Sequence, residues 1–324
     1  MFYLECKLRK EENMQIINSA ILPNRQNYDF SCKKNYINCN NLTSIPKDTI
    51  SFGNALTEKH YDLKNKLLES QNQDIASKNP EEIREKYNNG NLTEKLIADT
   101  VMDIYSKYRH TGKYAVEYKS ENFDKDYYEV RRYSHRLLFS PVKTINQGGW
   151  QYRLKKHLDN ITERISLNVN PNADMLKNLD SFMTKGIYTD KNGNQVEMQD
   201  HTPFYYKIPS NRKEWQNRQD PITLYFEGEI DDKTLNAIRD ITKSSQRGSL
   251  NSSEIAKDYN WMLVEKSPSD EEIDDLFKRI EKNGKTVNDA IINNFTRHNF
   301  TSVGLFKAVE AMLDELDCLK QNEQ

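Results

Sequence analysis

Between residues 164 and 245 the hydrophobic pattern passes through five elements in quick succession, and that succession restricts the fold more than any other feature. Arg164-Ile165-Ser166-Leu167-Asn168-Val169 alternates polar and apolar residues, the period of a half-buried strand. Asn170-Pro171 then caps a helix whose buried face is Met175, Leu176, Leu179, Phe182 and Met183, and Gly186 ends it. Lys191-Asn192-Gly193-Asn194 reads as a turn, the tip of a hairpin. Phe204–Pro209 is a second strand and Ile222–Phe226 a third. Asp231 opens a helix to about Ser245 that carries Leu235, Ile238 and Ile241. The order strand, helix, strand, strand, helix predicts an α+β fold: a central, mostly antiparallel sheet flanked by helices in one compact unit.

The chain on either side predicts a three-part organisation. Residues 1–52 mix Asn, Ser, Thr, Ile and Lys with no sustained period, so they cannot bury enough apolar surface to offset the entropy of ordering them. They are expected to be either a flexible tail or a targeting segment read while unfolded. Residues 53–112 read as helical. Asn79-Pro80-Glu81-Glu82 is a start signal, Asn91-x-x-Glu94 resembles a capping box, and Leu92, Leu96, Ile97, Val101, Ile104, Tyr105 and Tyr108 form one stripe. Residues 113–324 form the α+β part. Within it, Tyr114, Val116 and Tyr118 alternate like a strand, 124–139 fits a helix or an edge strand, and Trp150 to about Asn160 reads as a short helix after Gly148-Gly149. Ser244–Ser253 reads as a mobile loop. Ser269 and Thr301 begin the last two helices, the first with three acids in its opening turn.

Composition narrows the function by exclusion. Apolar residues are 36% of the 324, against the roughly 45–50% usual for a globular chain, and 35 residues are Asn. The 47 basic and 49 acidic residues nearly cancel, which gives no reason to expect a nucleic-acid partner. No run approaches the roughly 18 apolar residues of a membrane span. Cys6, Cys32, Cys39 and Cys318 form no C-x-x-C pair and have no histidine at metal-ligand spacing, so they read as unpaired thiols in a reducing compartment, with no metal and no cofactor expected. No phosphate-binding glycine loop, dinucleotide fingerprint, H-E-x-x-H or nucleophile elbow is present.

Two constellations carry chemistry. Glu227-Gly228-Glu229 after a strand is a feature of some ADP-ribosyltransferases, although a solvated strand end explains it as well. The second is basic. His157 follows Lys155 and Lys156, Arg164 begins a strand, Lys207 lies in an aromatic strand, and Arg212, Lys213 and Arg218 occupy the loop before the third strand. Convergent Arg and Lys suit a phosphate, through bidentate guanidinium bonds and point charge. Lys207, flanked by Tyr205, Tyr206 and Ile208, is expected to be partly desolvated, which lowers its pKa and makes it a candidate base.

The succession from Arg164 to Pro171, the helix after it, Tyr206-Lys207-Ile208, and the run from Arg218 to Tyr225 resembles the Hop-A family of bacterial type III secretion effectors over about residues 110–320. That family shows Arg-apolar-Tyr-apolar-Asn followed by Pro, a helix, a strand with Lys, and Arg-x-Asp before an apolar strand ending in Tyr. Ser166 departs from it where an aromatic is expected, and Ser302-Val303-Gly304 only loosely matches its Ser-Phe-Gly. The resemblance implies an α+β protein delivered by a type III system into the host cytoplasm. It implies a host protein target and a secretion chaperone as partners. Related domains in lanthipeptide and thioamitide biosynthesis are linked to removal of phosphate from phosphoserine or phosphothreonine by β-elimination. On that reading Lys207 is the base, His157 the general acid, and Arg164 and Arg218 grip phosphate. The alternative is a non-enzymatic effector that binds a host signalling protein, with the aromatic and basic stretch Tyr127–Arg136 as interface.

Overall fold

The computed structural model describes residues 63–69, 81–115, 117–118, 120–137, 140–250 and 254–321. The expected tail 1–52 with its three cysteines, and the Asn79-Pro80 helix start, lie outside the described residues.

The fold is α+β. A six-stranded sheet is built from β1 (Lys143–Gln147), β2 (Trp150–Leu154), β3 (Ile161–Leu167), β6 (Phe204–Pro209), β7 (Ile222–Glu227) and β8 (Met262–Lys266), in the order β1-β2-β6-β7-β3-β8. Every neighbouring pair is antiparallel. A small hairpin, β4 (Ile187–Thr189) with β5 (Gln195–Glu197), turns at the Lys191–Asn194 tip read from the sequence. Nine α-helices have assigned bounds: α1 (Glu81–Asn88), α2 (Glu94–Arg109), α3 (Phe123–Arg136), α4 (Ala173–Lys185), α5 (Arg212–Asn217), α6 (Asp232–Thr242), α7 (Asp270–Lys282), α8 (Lys285–Asn294) and α9 (Val303–Gln321).

Strict alternation makes the sheet two-faced. Ile165, Leu167, Phe204, Tyr206, Ile208, Ile222, Leu224, Phe226, Met262 and Val264 belong to one core cluster with Leu176, Leu179 and Phe182 of α4 and Leu235 and Ile238 of α6. A second cluster, formed by Ile97, Val101 and Ile104 of α2, Ile273 and Ile280 of α7, Ala290 and Ile291 of α8, and Val309, Met312 and Leu313 of α9, makes a helical layer of its own. Gly304 lets α9 approach α2, because a Cβ there would lie 2.8 Å from the Arg109 Nε and 3.1 Å from the Tyr105 ring.

Several local readings need correction. The helix expected from Trp150 is strand β2. Gly148 and Gly149, both at positive φ (57° and 82°), form a two-residue hairpin loop from β1, a geometry that disfavours side chains bearing a Cβ. The loop before the third strand contains α5, capped by Asn211. The strand expected from Tyr114 begins instead as a 3-10 turn, Gly112–Tyr114. Strands β1 and β8 and helix α8 were not legible. Two caps shift by two residues: Thr93 caps α2 and Asn172 caps α4, the latter accepting from both Asp174 and Met175 amides. Ser269 and Glu272 do form a full capping box on α7.

One charged cluster sits inside the apolar layer. The guanidinium of Arg153, wholly buried on β2, donates to Asp180 Oδ2 of α4 at 3.3 Å and to the Tyr206 hydroxyl at 3.3 Å. Tyr206 and Tyr133 both donate to the Asp180 carboxylate at 2.6 Å. Burial pushes the Asp180 carboxyl up, against the pull of Arg153 and the two phenols. Removing one member leaves a buried charge uncompensated. Asp180→Ala is therefore expected to destabilise the fold by about 3–5 kcal/mol, read as a lower denaturation midpoint, with Asp180→Asn milder because its amide oxygen still accepts from a phenol.

Candidate functional site

The face of the sheet opposite α4 and α6 carries polar and aromatic residues in two cross-strand rows. One row runs Tyr152, Lys207, Thr223, Ser166 across β2, β6, β7 and β3. The next runs Tyr205, Tyr225, Arg164, Glu265 across β6, β7, β3 and β8. The Tyr205 and Tyr225 rings stack with centroids 4.9 Å apart, and Tyr152 leans on Tyr205 at 6.5 Å. Burial pushes both the Tyr205 and Tyr225 phenols up to about 12, so they stay neutral.

Three cations gather on this aromatic floor. Lys207 Nζ lies 4.3 Å from the centroid of Trp150 and 5.5 Å from that of Tyr225. Arg164 Cζ lies 5.4 Å from the same Tyr225 ring, and Arg218 Cζ 4.5 Å from the same Trp150 ring. Such contacts weakly favour a cation but do not neutralise it. Among the described residues Lys207 makes no hydrogen bond or ion pair through Nζ. Burial lowers its pKa, with Tyr152 and Asp220 acting against burial and Arg218 and Arg109 adding to it. Arg164 donates to the Thr301 carbonyl at 2.7 Å; among the described residues it has no carboxylate partner and its buried Nε bonds to nothing. Arg218 is partly neutralised by Glu214 at 2.8 Å and Asp220 at 3.4 Å.

The carboxylate nearest in register to Arg164 is Glu265, and it is already engaged. Arg109, at the end of α2, holds it in a bidentate pair at 2.7 and 3.1 Å. Ser166 and Tyr108 donate to it at 3.1 and 3.3 Å. Asp220 lies 3.8 Å from Arg109 as well. Burial alone would lower the Arg109 pKa, but Glu265, Tyr108 and Asp220 raise it further still. Arg109 thus absorbs the acids of this face and leaves Arg164 and Lys207 without them.

Lys207, Arg164 and Arg218 therefore share one surface, linked through Trp150 and Tyr225. His157 does not join them. It lies in the loop after β2 with its side chain largely exposed and pairs with Asp159 at 3.3 Å. Glu227 and Glu229 flank Gly228 at the end of β7, where Lys156 and Lys64 face them at 3.5 and 3.8 Å. Trp150, Tyr152, Tyr225 and Arg109 were missed. Alternation within 150–154 was the available signal for the first two, whereas nothing local marks Arg109. Among the described residues no group of three His, Cys, Asp or Glu side chains could hold a metal, and no helix is long and apolar enough to cross a membrane.

No protein-family model matches the chain, and no curated protein matches its sequence. A solved structure to which it is similar is that of the effector protein from Pseudomonas syringae pv. syringae strain 61. The identity is 12%, the match covers 71% of this chain and 91% of that one, and the TM-score is 0.39.

The site has a built-in reporter. Of the chain's three tryptophans, Trp215 and Trp261 are buried and Trp150 is half-buried between the cations. Titration with inorganic phosphate is expected to change tryptophan emission, and Trp150→Phe to abolish the change. Arg164→Ala should weaken the apparent affinity about tenfold or more, as for loss of a charge-assisted hydrogen bond of about 1.5–3 kcal/mol.

Proposed function

We propose that this chain is a type III effector acting in the host cytoplasm, and that the Lys207 face removes phosphate from phosphothreonine or phosphoserine by β-elimination. One observation carries the reading: Lys207 and Arg164, two cations without a carboxylate partner among the described residues, lie over the same Tyr225 ring. A phosphate there would supply the missing negative charge. The lowered pKa of Lys207 favours the neutral amine that a base needs. The sequence resemblance to the Hop-A family points to the same chemistry.

In this mechanism the neutral Lys207 amine takes the Cα proton of the phosphorylated residue. The electron pair left behind forms the Cα=Cβ bond, and the Cβ–O bond breaks with its pair going to the departing phosphate. Arg164 and Arg218 hold the phosphate oxygens and stabilise the charge that gathers on them. The phosphomonoester's second pKa is near 6, so at neutral pH the dianion departs with Arg164 and Arg218 offsetting its charge and takes up a proton from solvent; His157, on the exposed loop after β2, is not needed. The products are a dehydroamino acid residue and inorganic phosphate.

Intact-mass analysis of phosphothreonine peptides tests this. Elimination removes the elements of phosphoric acid, whereas hydrolysis removes only those of HPO3 and leaves the hydroxyl. Lys207→Ala is expected to abolish turnover with the fold retained. Lys207→Arg should fail as well, because guanidinium does not deprotonate. His157→Ala is expected to leave the rate close to that of the unaltered chain. The sign of the pH dependence is set by the amine: the rate should rise with pH through an apparent pKa below the ordinary lysine value of about 10.4. Turnover retained in Lys207→Ala would remove this residue from the mechanism. Phosphopeptide binding with no change in mass would leave a non-catalytic binder of phosphorylated host protein.

A further inference from the structure

Strand β1 is an open end of the sheet. Among the described residues it pairs only with β2, and none of its five residues is buried. Ile145 is 50% exposed on it. An unpaired strand edge presents backbone donors and acceptors at the spacing another strand requires. Natural sheets protect such an edge with charge, a bulge or a covering element; here Lys143 is the strand's one charged residue, and no bulge interrupts the β1–β2 register.

Beside this edge runs a groove of about 230 Å³ between α3 and the strands, lined by Tyr127, Arg131, Ser134, His135, Thr144 and Asn146 among others. Two basic residues line it: Arg131 and His135 are exposed and make no ion pair among the described residues. The geometry separates the two sides of β1. Thr144 and Asn146 face the α3 groove, whereas Ile145 faces the side on which Tyr152 lies.

We propose that the β1 edge and the α3 groove dock an extended acidic segment of a partner protein, which adds to the sheet as one further strand. Alternate side chains of that segment would be acidic, facing Arg131 and His135, and the others apolar, facing Ile145. Main-chain hydrogen bonds supply affinity in this mode, and the alternating side chains supply selection. The added strand would lie three strand spacings from β6, roughly 14 Å at about 4.8 Å each. That is beyond the reach of a phosphorylated side chain toward Lys207, so the docked segment is distinct from the residue acted upon. The inference does not rest on the elimination chemistry.

The probe is a fluorescein-labelled octapeptide of alternating Glu and Val, titrated against the full chain by fluorescence polarisation. Saturable binding is expected, with slowed amide exchange in β1. The double substitution Arg131→Glu, His135→Glu is expected to weaken it about tenfold or more and to flatten its salt dependence. Both positions are exposed, so far-UV circular dichroism should be unchanged. Methylating every second peptide amide should abolish binding in one of the two registers. Absence of saturable binding, or binding indifferent both to amide methylation and to the charge reversal, would overturn the proposal. So would a concentration-dependent dimer that protects β1, which would assign this edge to a second copy of the chain.

Discussion

The bidentate pair between Arg109 and Glu265 is the contact on which the character of the polar sheet face depends. Glu265 is almost fully buried on β8, directly across from Arg164 on β3. Were it free, it would be the natural counterion of Arg164, and the face would be internally neutral. Arg109 reaches in from α2 and takes it, with Ser166 and Tyr108 completing its hydrogen bonds. A buried ion pair gives little net stability unless its remaining lone pairs are satisfied, and here they are. Its effect is to leave uncompensated cations on one side of a sheet whose other side is apolar core.

That arrangement requires the helical layer to approach closely. Gly304 permits it, since any side chain there would meet Arg109 and Tyr105. The two hydrophobic clusters thus have different tasks. The cluster behind the sheet holds the strands in register, so that Tyr152, Lys207, Thr223 and Ser166 line up in one row. The helical cluster presents α2, whose last residue sets the charge of the face. The aromatic floor completes the site: Trp150 and Tyr225 each carry two cations without supplying a negative charge.

Much of this sheet could be read from periodicity, and its failures are instructive. Residues 204–209 and 222–226 alternate cleanly because one face meets core and the other does not, so both strands were found. β8 reads Met-Leu-Val-Glu-Lys and is buried on both faces, which erases the alternation. β1 is exposed on both sides because it is an edge, and Ile145 is its one apolar residue, which erases the alternation in the opposite way. β2 was mistaken for a helix because its inward polar residue, Arg153, is compensated by Asp180 of α4, a partner remote in sequence.

The sequence by itself determined the α+β class, the central order of strands and helices, and the face on which Lys207 and Arg164 would lie. These follow from local periods of two and 3.6 and from turn and cap residues. Arg218 sits in the connection from α5 to β7, so its side was open. Only the tertiary structure decided which acids would be spent elsewhere. It joined α2 to β8, placed Trp150 beside both Lys207 and Arg218, sent His157 out to solvent and left β1 unpaired. Those outcomes depend on contacts between residues tens to more than a hundred positions apart, and no local pattern encodes which carboxylate a given guanidinium will meet.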